Sequence, residues 1–346
     1  MERQDYNMPF MLQYENVAWY ENSKVKILDR RVYPKEIRFE ICKTHREVAR
    51  AITDMVTQSA GPYTAAGMGM ALAAYEGRSL SDSDLIIFLE EAAHTISTAR
   101  PTTSTRLKQV TRGSIKAAKN AIENGEDVVG KIFEDAINSL NRRYSAMNEV
   151  AKYLCDKITN GAKVLTQCFG ETIIGTMTRT LKEQNKKVKF YCCETRPYYQ
   201  GARLTATCIS EMGFDTTIIT DNMVAYTMEN IGIDLFTSAT DTITLDGHVA
   251  NKVGTHQIAI VADRFQVPYY VTGMPDKEKF TKDDIVIELR EPSLVLGDHT
   301  AKGVKAIYPS FDITPPELIT GFVTDKGIYE PNNLRNYFES GYKSYY

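Results

Sequence analysis

No stretch of this 346-residue chain approaches the roughly 18 consecutive apolar residues that a membrane-spanning helix requires, so no segment is expected to cross a bilayer. Neither sign of charge dominates: 41 basic side chains stand against 44 acidic ones, net −3, which argues against a surface built mainly to coat nucleic acid or an anionic membrane. The opening residues, Met1-Glu2-Arg3-Gln4-Asp5, have neither the basic nor the apolar region of a secretory leader. Cysteines at 42, 155, 168, 192, 193 and 208 form no Cys-x-x-Cys pair and follow no regular spacing. They read as reduced thiols of a cytoplasmic protein, not as a disulfide framework or a zinc site. Internal repeats, low-complexity segments and heptad arrays are missing as well. What is present is an ordinary globular composition, 43% hydrophobic and 25% charged, at a length that predicts about two domains.

The first forty residues suggest a small β element, with Met11-Leu12-Gln13-Tyr14 and Val25-Lys26-Ile27-Leu28-Asp29 on either side of a Glu21-Asn22-Ser23 turn. From Thr44 the apolar period becomes helical: Val48, Ala49, Ile52, Met55 and Val56 share one face, and Thr44 with Glu47 three residues on reads as an N-cap. Ala65 to Tyr75 is small and apolar enough for a closely packed helix, and Ser81-Asp82 opens another that runs to about Ala99. Long amphipathic helices fill 105–150, with Lys116, Lys119, Glu123, Arg142 and Arg143 expected on the wet face. Residues 1–150 are therefore expected to form a mainly helical domain.

Beyond residue 160 short apolar runs alternate with helical stretches. The runs are Lys163–Cys168, Val188–Cys193, Thr216–Thr220, Asp234–Ala239 and Pro268–Thr272; the helical stretches include Gly201–Met212, Met223–Ile231 and Lys252–Phe265. This alternation predicts βαβ units and a Rossmann-like parallel sheet over 151–346, hence an α/β protein. Parallel sheets bind ligands at the carboxyl ends of their strands. Those ends carry Cys168, the Glu194-Thr195-Arg196-Pro197 and Gln200-Gly201-Ala202-Arg203 segments, Asp221, Asp241, and Asn251-Lys252 at an expected helix start. A thiol and a carboxylate on neighbouring ends could share acid–base work on a sugar, and a helix N-terminus beside a cation suits a phosphate. Each has a plainer reading: Cys168 as a small buried hydrophobe, Asp241 as a cap, Arg196 and Arg203 as ion-pair partners of Glu194 and Asp221, and Asn251-Lys252 as a helix start and nothing more. His248 and His256 lack the spacing of metal ligands, so no metal is expected.

Three segments are more specific together than apart: Glu194-Thr-Arg-Pro-Tyr-Tyr-Gln-Gly-Ala-Arg-Leu-Thr205, the Ser238 to Thr255 run with Asp241 and Asn251-Lys252, and Phe311-Asp-Ile-Thr-Pro-Pro-Glu-Leu-Ile-Thr-Gly321. The chain resembles the methylthioribose-1-phosphate isomerase family, from Leu28-Asp29 through Arg100-Pro101-Thr102 to Gly327. Its superfamily also holds 5-deoxyribose-1-phosphate and ribose-1,5-bisphosphate isomerases and regulatory subunits of a translation-initiation exchange factor. The resemblance implies a helical N-terminal domain, a Rossmann-like C-terminal domain, a homodimer, a sugar phosphate as ligand, and no cofactor; no Gly-x-Gly-x-x-Gly follows the first strand of the second half. It implies catalytic roles for Cys168 and Asp241, with Asp241 kept protonated by a dry apolar pocket. Substrate contacts are implied at Arg100, Gln200, Asn251 and Lys252, and at Ser59-Ala60-Gly61, which matches the family's Arg-Gly-Ala segment without its arginine. A second departure is Gln167-Cys168-Phe169 where the family tends to have His-Cys-Asn. With those changes a 5-modified ribose 1-phosphate, methylthioribose or 5-deoxyribose, is the expected substrate, and Phe169 is expected to line an apolar pocket for it. The alternative is a non-catalytic regulatory protein on the same scaffold.

Overall fold

The computed structural model describes residues 2–100, 104–339 and 341. Two compact units divide inside one long helix, between Ala146 and Met147.

In the first unit, β1 (Ala18–Glu21), β2 (Lys24–Leu28) and β3 (Phe39–Cys42) form an antiparallel sheet. The expected turn is a tight hairpin: Glu21 pairs with Lys24, and Asn22 and Ser23 both take positive φ. The run Met11–Tyr14 is not a strand. It forms a short 3-10 turn (Phe10–Leu12) and the start of α1 (Tyr14–Val17), with Met11, Leu12 and Tyr14 all buried. A run of four residues, three of them apolar, is too short to carry a period that separates strand from helix.

The helices that follow are α2 (His45–Thr53), α3 (Gly61–Glu76), α4 (Asp82–Thr98), α5 (Ser104–Asn124) and α6 (Val128–Lys157). Thr44 Oγ1 accepts the Glu47 N–H and Ser81 Oγ accepts the Asp84 N–H, so both predicted starts are built on their expected caps. α3 is buried from Gly61 to Ala74, as its small side chains require. Arg143 departs from the expected wet face: it is buried, and its Nη2 donates to Thr64 Oγ1 of α3 at 2.9 Å. A single arginine stem can lie along an apolar face when its head finds an acceptor, which a charge pattern does not reveal.

The second unit has the expected α/β architecture. Strands β4 (Lys163–Thr166), β5 (Lys189–Cys193), β6 (Asp215–Ile219), β7 (Leu235–Ala239), β10 (Tyr269–Thr272), β12 (Gly321–Thr324) and β13 (Gly327–Tyr329) form a seven-stranded sheet in the order β13-β12-β10-β7-β4-β5-β6. All pairings are parallel except β12 with β13. Helices α7 (Glu171–Glu183), α8 (Ala206–Glu211) and α9 (Val224–Asn230) follow β4, β5 and β6, and α10 (Thr255–Arg264) lies between β7 and β10 in the chain. Leu165, Phe236, Tyr269, Val271 and Phe322 build the core beneath them, with Phe236 stacked on Tyr269 at 4.2 Å.

A second, smaller antiparallel sheet was not foreseen. It consists of β8 (Thr242–Ile243), β9 (Val249–Lys252) and β11 (Phe311–Thr314), in the order β11-β9-β8. Its middle strand corrects one expectation directly, because Asn251 and Lys252 end β9 and the helix starts only at Thr255. A further short helix, α11 (Ser293–Leu296), lies in the segment that leads into β11. Among the described residues no helix is long and apolar enough to cross a membrane.

Candidate active site

In the large sheet the first strand, β4, lies between β5 and β7, so chain direction across the sheet reverses between β4 and β7. Crevices at such reversals receive ligands, because the loops leaving the two strands part to opposite faces. Cys168 leaves β4 there and Asp241 leaves β7. Thr166 pairs with Thr237, which sets Cys168 level with Ala239, two residues before Asp241. Gly170 confirms how close the two turns run: a Cβ at that glycine would lie 2.6 Å from the Ala239 Cβ.

Cys168 is held in a left-handed conformation, φ +61°, that a non-glycine residue adopts only when its surroundings enforce it. Its N–H donates to Thr195 Oγ1 at 3.0 Å, and its carbonyl accepts from Thr205 Oγ1. As a residue Cys168 is half-buried, unlike the other five cysteines, which are all buried. Burial pushes the thiol up to about 11; the Lys252 ammonium pulls the other way, and the Asp241 carboxylate adds to the rise. At neutral pH the group is therefore a thiol. The same balance of charges places Lys252 and Asp241 within electrostatic reach of the sulfur.

The segment after β5 is folded by its own backbone. Asp221, at the end of β6, receives the N–H groups of Thr195 at 2.8 Å and Arg196 at 2.7 Å. Arg203 donates to the Tyr198 carbonyl and Arg196 to that of Val295, so backbone oxygens take up hydrogen bonds that the sequence left open to ion pairs. Gly201 begins a wide helical turn, Gly201–Thr205, where a Cβ would sit 1.8 Å from the Cys193 carbonyl oxygen. No side chain fits there. Gln200, just before it, is buried, and its Oε1 has no hydrogen-bond partner among the described residues. A buried amide oxygen in that position is an acceptor awaiting a donor.

Asn251 and Lys252 are both buried at the end of β9. Thr255 Oγ1 knits this turn to β4: it lies 2.8 Å from Gln167 Oε1 and 2.7 Å from the Lys252 carbonyl, and it accepts from Asn251 Nδ2 at 3.1 Å. Gln167 Nε2 in turn donates to the Val253 carbonyl at 3.2 Å. The glutamine beside Cys168 is thus a strut between the two sheets. The expected phosphate seat at the N-terminus of α10 is taken by the protein itself, because Asp312 accepts the Gly254 N–H at 2.6 Å and the His256 N–H at 3.2 Å. Two of the N–H groups at this helix end are thus already paired, and the Lys252 side chain is the cation placed beside them.

Asp241 is exposed, which corrects the expectation of a dry pocket around it. Its backbone N–H donates to the Ala250 carbonyl as the chain turns from β7 into the small sheet, and this leaves the side chain at the rim of the strand ends. The structure thus gathers Cys168, Gln200, Asp241, Asn251 and Lys252 at one end of the second unit. Ser59, Ala60, Gly61 and Arg100 belong to the first unit. Ser59 has φ +58° immediately before α3, Gly61 starts that helix, and Arg100 follows α4. Pro101 and Thr102 lie outside the described residues. Thr195 and Thr255 lay within the strand-end segments without a role assigned to them, while Gln167, Asp312 and Tyr308 are site-building residues that reading strand ends alone did not single out. Asp312 and Thr255 sit inside the quoted family segments and had that signal; Tyr308 had none. Among the described residues no group of three or more His, Cys, Asp or Glu side chains could hold a metal ion.

A model of the initiation factor 2 subunit family matches residues 59–331. Methylthioribose-1-phosphate isomerase 1 of Pseudothermotoga lettingae is 33% identical over 342 residues, spanning 92% of this chain and 96% of the relative. The crystal structure of 5-methylthioribose 1-phosphate isomerase from Pyrococcus horikoshii superposes with a TM-score of 0.81 at 29% identity, over 94% of this chain and 96% of that one. The translation initiation factor eIF-2B subunit delta from A. fulgidus superposes with a TM-score of 0.78 at 28% identity, over 92% of this chain and 96% of that one.

Proposed function

Because the chain belongs to the initiation factor 2 subunit family, in which relatives along nearly its whole length are named methylthioribose-1-phosphate isomerases, we propose that it converts a 5-substituted ribose 1-phosphate into the ribulose 1-phosphate. The observation that carries this reading is the pair Cys168 and Asp241 on adjoining strand ends at the sheet reversal, with Lys252 in electrostatic reach of the thiol. S-methyl-5-thioribose 1-phosphate is the substrate the relatives' names favour; 5-deoxyribose 1-phosphate differs only at the 5-substituent, which the buried Phe169 beside Cys168 would face.

The chemistry explains why these groups are wanted. Phosphorylation of the anomeric oxygen prevents the ring from opening by itself. An acid must protonate the ring oxygen, and the hydrogen on C2 must end on C1. In the hydride route Asp241, which takes up a proton as the bound sugar shields it, gives that proton to the ring oxygen as the bond from C1 to the ring oxygen breaks, the C2 hydrogen moves to C1 with its electron pair, and the C2 hydroxyl proton returns to the Asp241 carboxylate. The Cys168 thiol, protonated up to about 11, takes no proton in this route and supports the shift by stabilising the charge that develops at C1 and C2. Shielding of Asp241, exposed in the chain alone, comes with bound sugar. Lys252 and Gln200 hold the phosphate and a hydroxyl, and the binding energy fixes the orientation. The pathway role is methionine salvage for the methylthio sugar, and the enzyme works as a cytoplasmic homodimer without nucleic acid or membrane.

Incubation with each sugar phosphate, followed by NMR for the ketose, tests the reading; Cys168→Ser and Asp241→Asn are expected to abolish conversion. Deuterium at C2 is retained at C1 in the hydride route and lost to water in an enolate route. The likeness to an exchange-factor subunit favours a second reading, a regulatory protein that binds the sugar phosphate without turning it over. Binding by calorimetry with no ketose from either sugar selects that reading.

A further inference from the structure

Tyr308 is buried at 2% exposure, although it belongs to the loop-rich segment before β11. Its backbone is pinned from both sides: the Arg290 N–H donates to the Tyr308 carbonyl at 2.8 Å, the Ser310 N–H donates to the Glu288 carbonyl at 2.8 Å, and Leu289 bridges Pro309. Ser310 Oγ adds a bond to the Glu288 carbonyl and accepts from Arg290 Nε. So anchored, Tyr308 reaches the end of β9. Its hydroxyl lies 3.4 Å from Lys252 Nζ and its ring centroid 5.6 Å from the same atom. Phe311, opposite Lys252 in the β9–β11 register, presents its ring centroid at 5.4 Å. Tyr198, from the loop after β5, tilts against Tyr308 at 6.1 Å. The ammonium therefore lies at the hydroxyl end of the Tyr308 ring and beside the Phe311 ring, so a hydroxyl and two aromatic side chains limit where it can go. Tyr308 is also close enough to Cys168 for the two groups to influence each other's ionisation.

We propose that Tyr308 is a positioning residue that, with Phe311, holds the Lys252 ammonium at the strand ends beside Cys168, where it meets the phosphate of the substrate. The claim rests on the isomerase reading only for the identity of that phosphate ester. A lysine has four rotatable bonds, and a site that needs its charge at one point gains from immobilising it before the ligand arrives. The groups acting on Cys168 besides Lys252 are Asp241, Asp221 and the Phe169 N–H, and Tyr308 itself lies within electrostatic reach of it, so phosphate affinity is the quantity that isolates the effect carried by the ammonium.

The test follows two quantities that need no turnover: the dissociation constant of inorganic phosphate by calorimetry, and the pH dependence of iodoacetamide reaction at Cys168, read from the mass of its peptide. Lys252→Met is expected to weaken phosphate binding and move the Cys168 midpoint to higher pH. Tyr308→Leu is expected to do the same in smaller measure, with phosphate binding weakened about tenfold. Tyr308→Phe, which keeps the ring and the packing, is expected to weaken it about twofold to threefold and to move the midpoint least. Should Tyr308→Leu fail to fold, the Tyr308→Phe result decides, and equality with wild type in both quantities overturns the proposal. It is equally overturned if Tyr308→Leu folds and matches wild type, or if Lys252→Met leaves the Cys168 midpoint in place. Failure of wild-type protein to convert any sugar phosphate sinks the isomerase reading alone and leaves these shifts to be judged on their own.

Discussion

The two sheets of the second unit divide the site's work. The seven-stranded parallel sheet presents Cys168 and Asp241 at its reversal, one held by a left-handed backbone and one on an open rim. The three-stranded antiparallel sheet presents Asn251, Lys252 and Asp312, all of them tied by hydrogen bonds or ring faces before any ligand binds. A parallel sheet places its strand ends in a row but leaves their loops free to vary. A short antiparallel sheet gives little core but fixes side chains on closely paired backbones. In the proposed isomerisation the reacting groups come from the first, and the pre-set charge comes from the second.

Breaking the large-sheet side should have the greatest effect. Cys168→Ser and Asp241→Asn are each expected to lower kcat by about a thousandfold with little change in KM, as expected for groups that act on the reacting atoms; steady-state NMR or coupled assays measure it. Next comes the small-sheet side. Lys252→Met should raise KM on the order of tenfold to a hundredfold and affect kcat less, because a charge-assisted bond to a bound anion is lost. A kcat loss as large as that of Cys168→Ser would erase the proposed division between the sheets. Gly201→Ala should cost stability of about 3 kcal/mol in chemical denaturation, since a methyl group must displace the Cys193 carbonyl 1.8 Å away.

The smallest effect expected is a change of slope. Burial raises the Asp312 carboxyl above its usual range despite the Gly254 and His256 N–H groups it accepts. The native state therefore keeps this proton to higher pH than the unfolded chain does, and stability falls as pH rises from about 4 through the raised value. Asp312→Asn should flatten that fall, seen in denaturation midpoints between pH 4 and 7. An unchanged slope would mean that Asp312 does not carry it.

The same two sheets show what could be read beforehand. Strands β4, β5 and β6 were legible because each is a short run followed by a helical period, and β7 and β10 because they stand on either side of one, the pattern of βαβ units. Caps at Thr44 and Ser81 were legible for a similar local reason. The small sheet was not legible. β8 has two residues and β9 ends in Asn251-Lys252, so nothing in its composition alternates, and the polar pair beside Gly254 looked like a helix start. Met11–Tyr14 failed because four residues, three of them apolar, are too short a run to show a period and fit helix and strand alike. Within the site, the sequence placed Cys168 and Asp241 on strand ends but misjudged the exposure of Asp241, which depends on where a turn leaves the sheet. Tyr308 was beyond reach, since its role arises from a β9–β11 register that no spacing announces.

The central claim is that the Cys168 sulfur faces the same crevice that takes the sugar phosphate. Iodoacetamide labelling of Cys168 in the active wild-type protein, with and without S-methyl-5-thioribose 1-phosphate, tests it most directly. At saturating sugar the labelling rate should drop at least about tenfold, with half-protection near KM. A thiol that reacts at the same rate in protein saturated with a sugar it turns over would contradict the account.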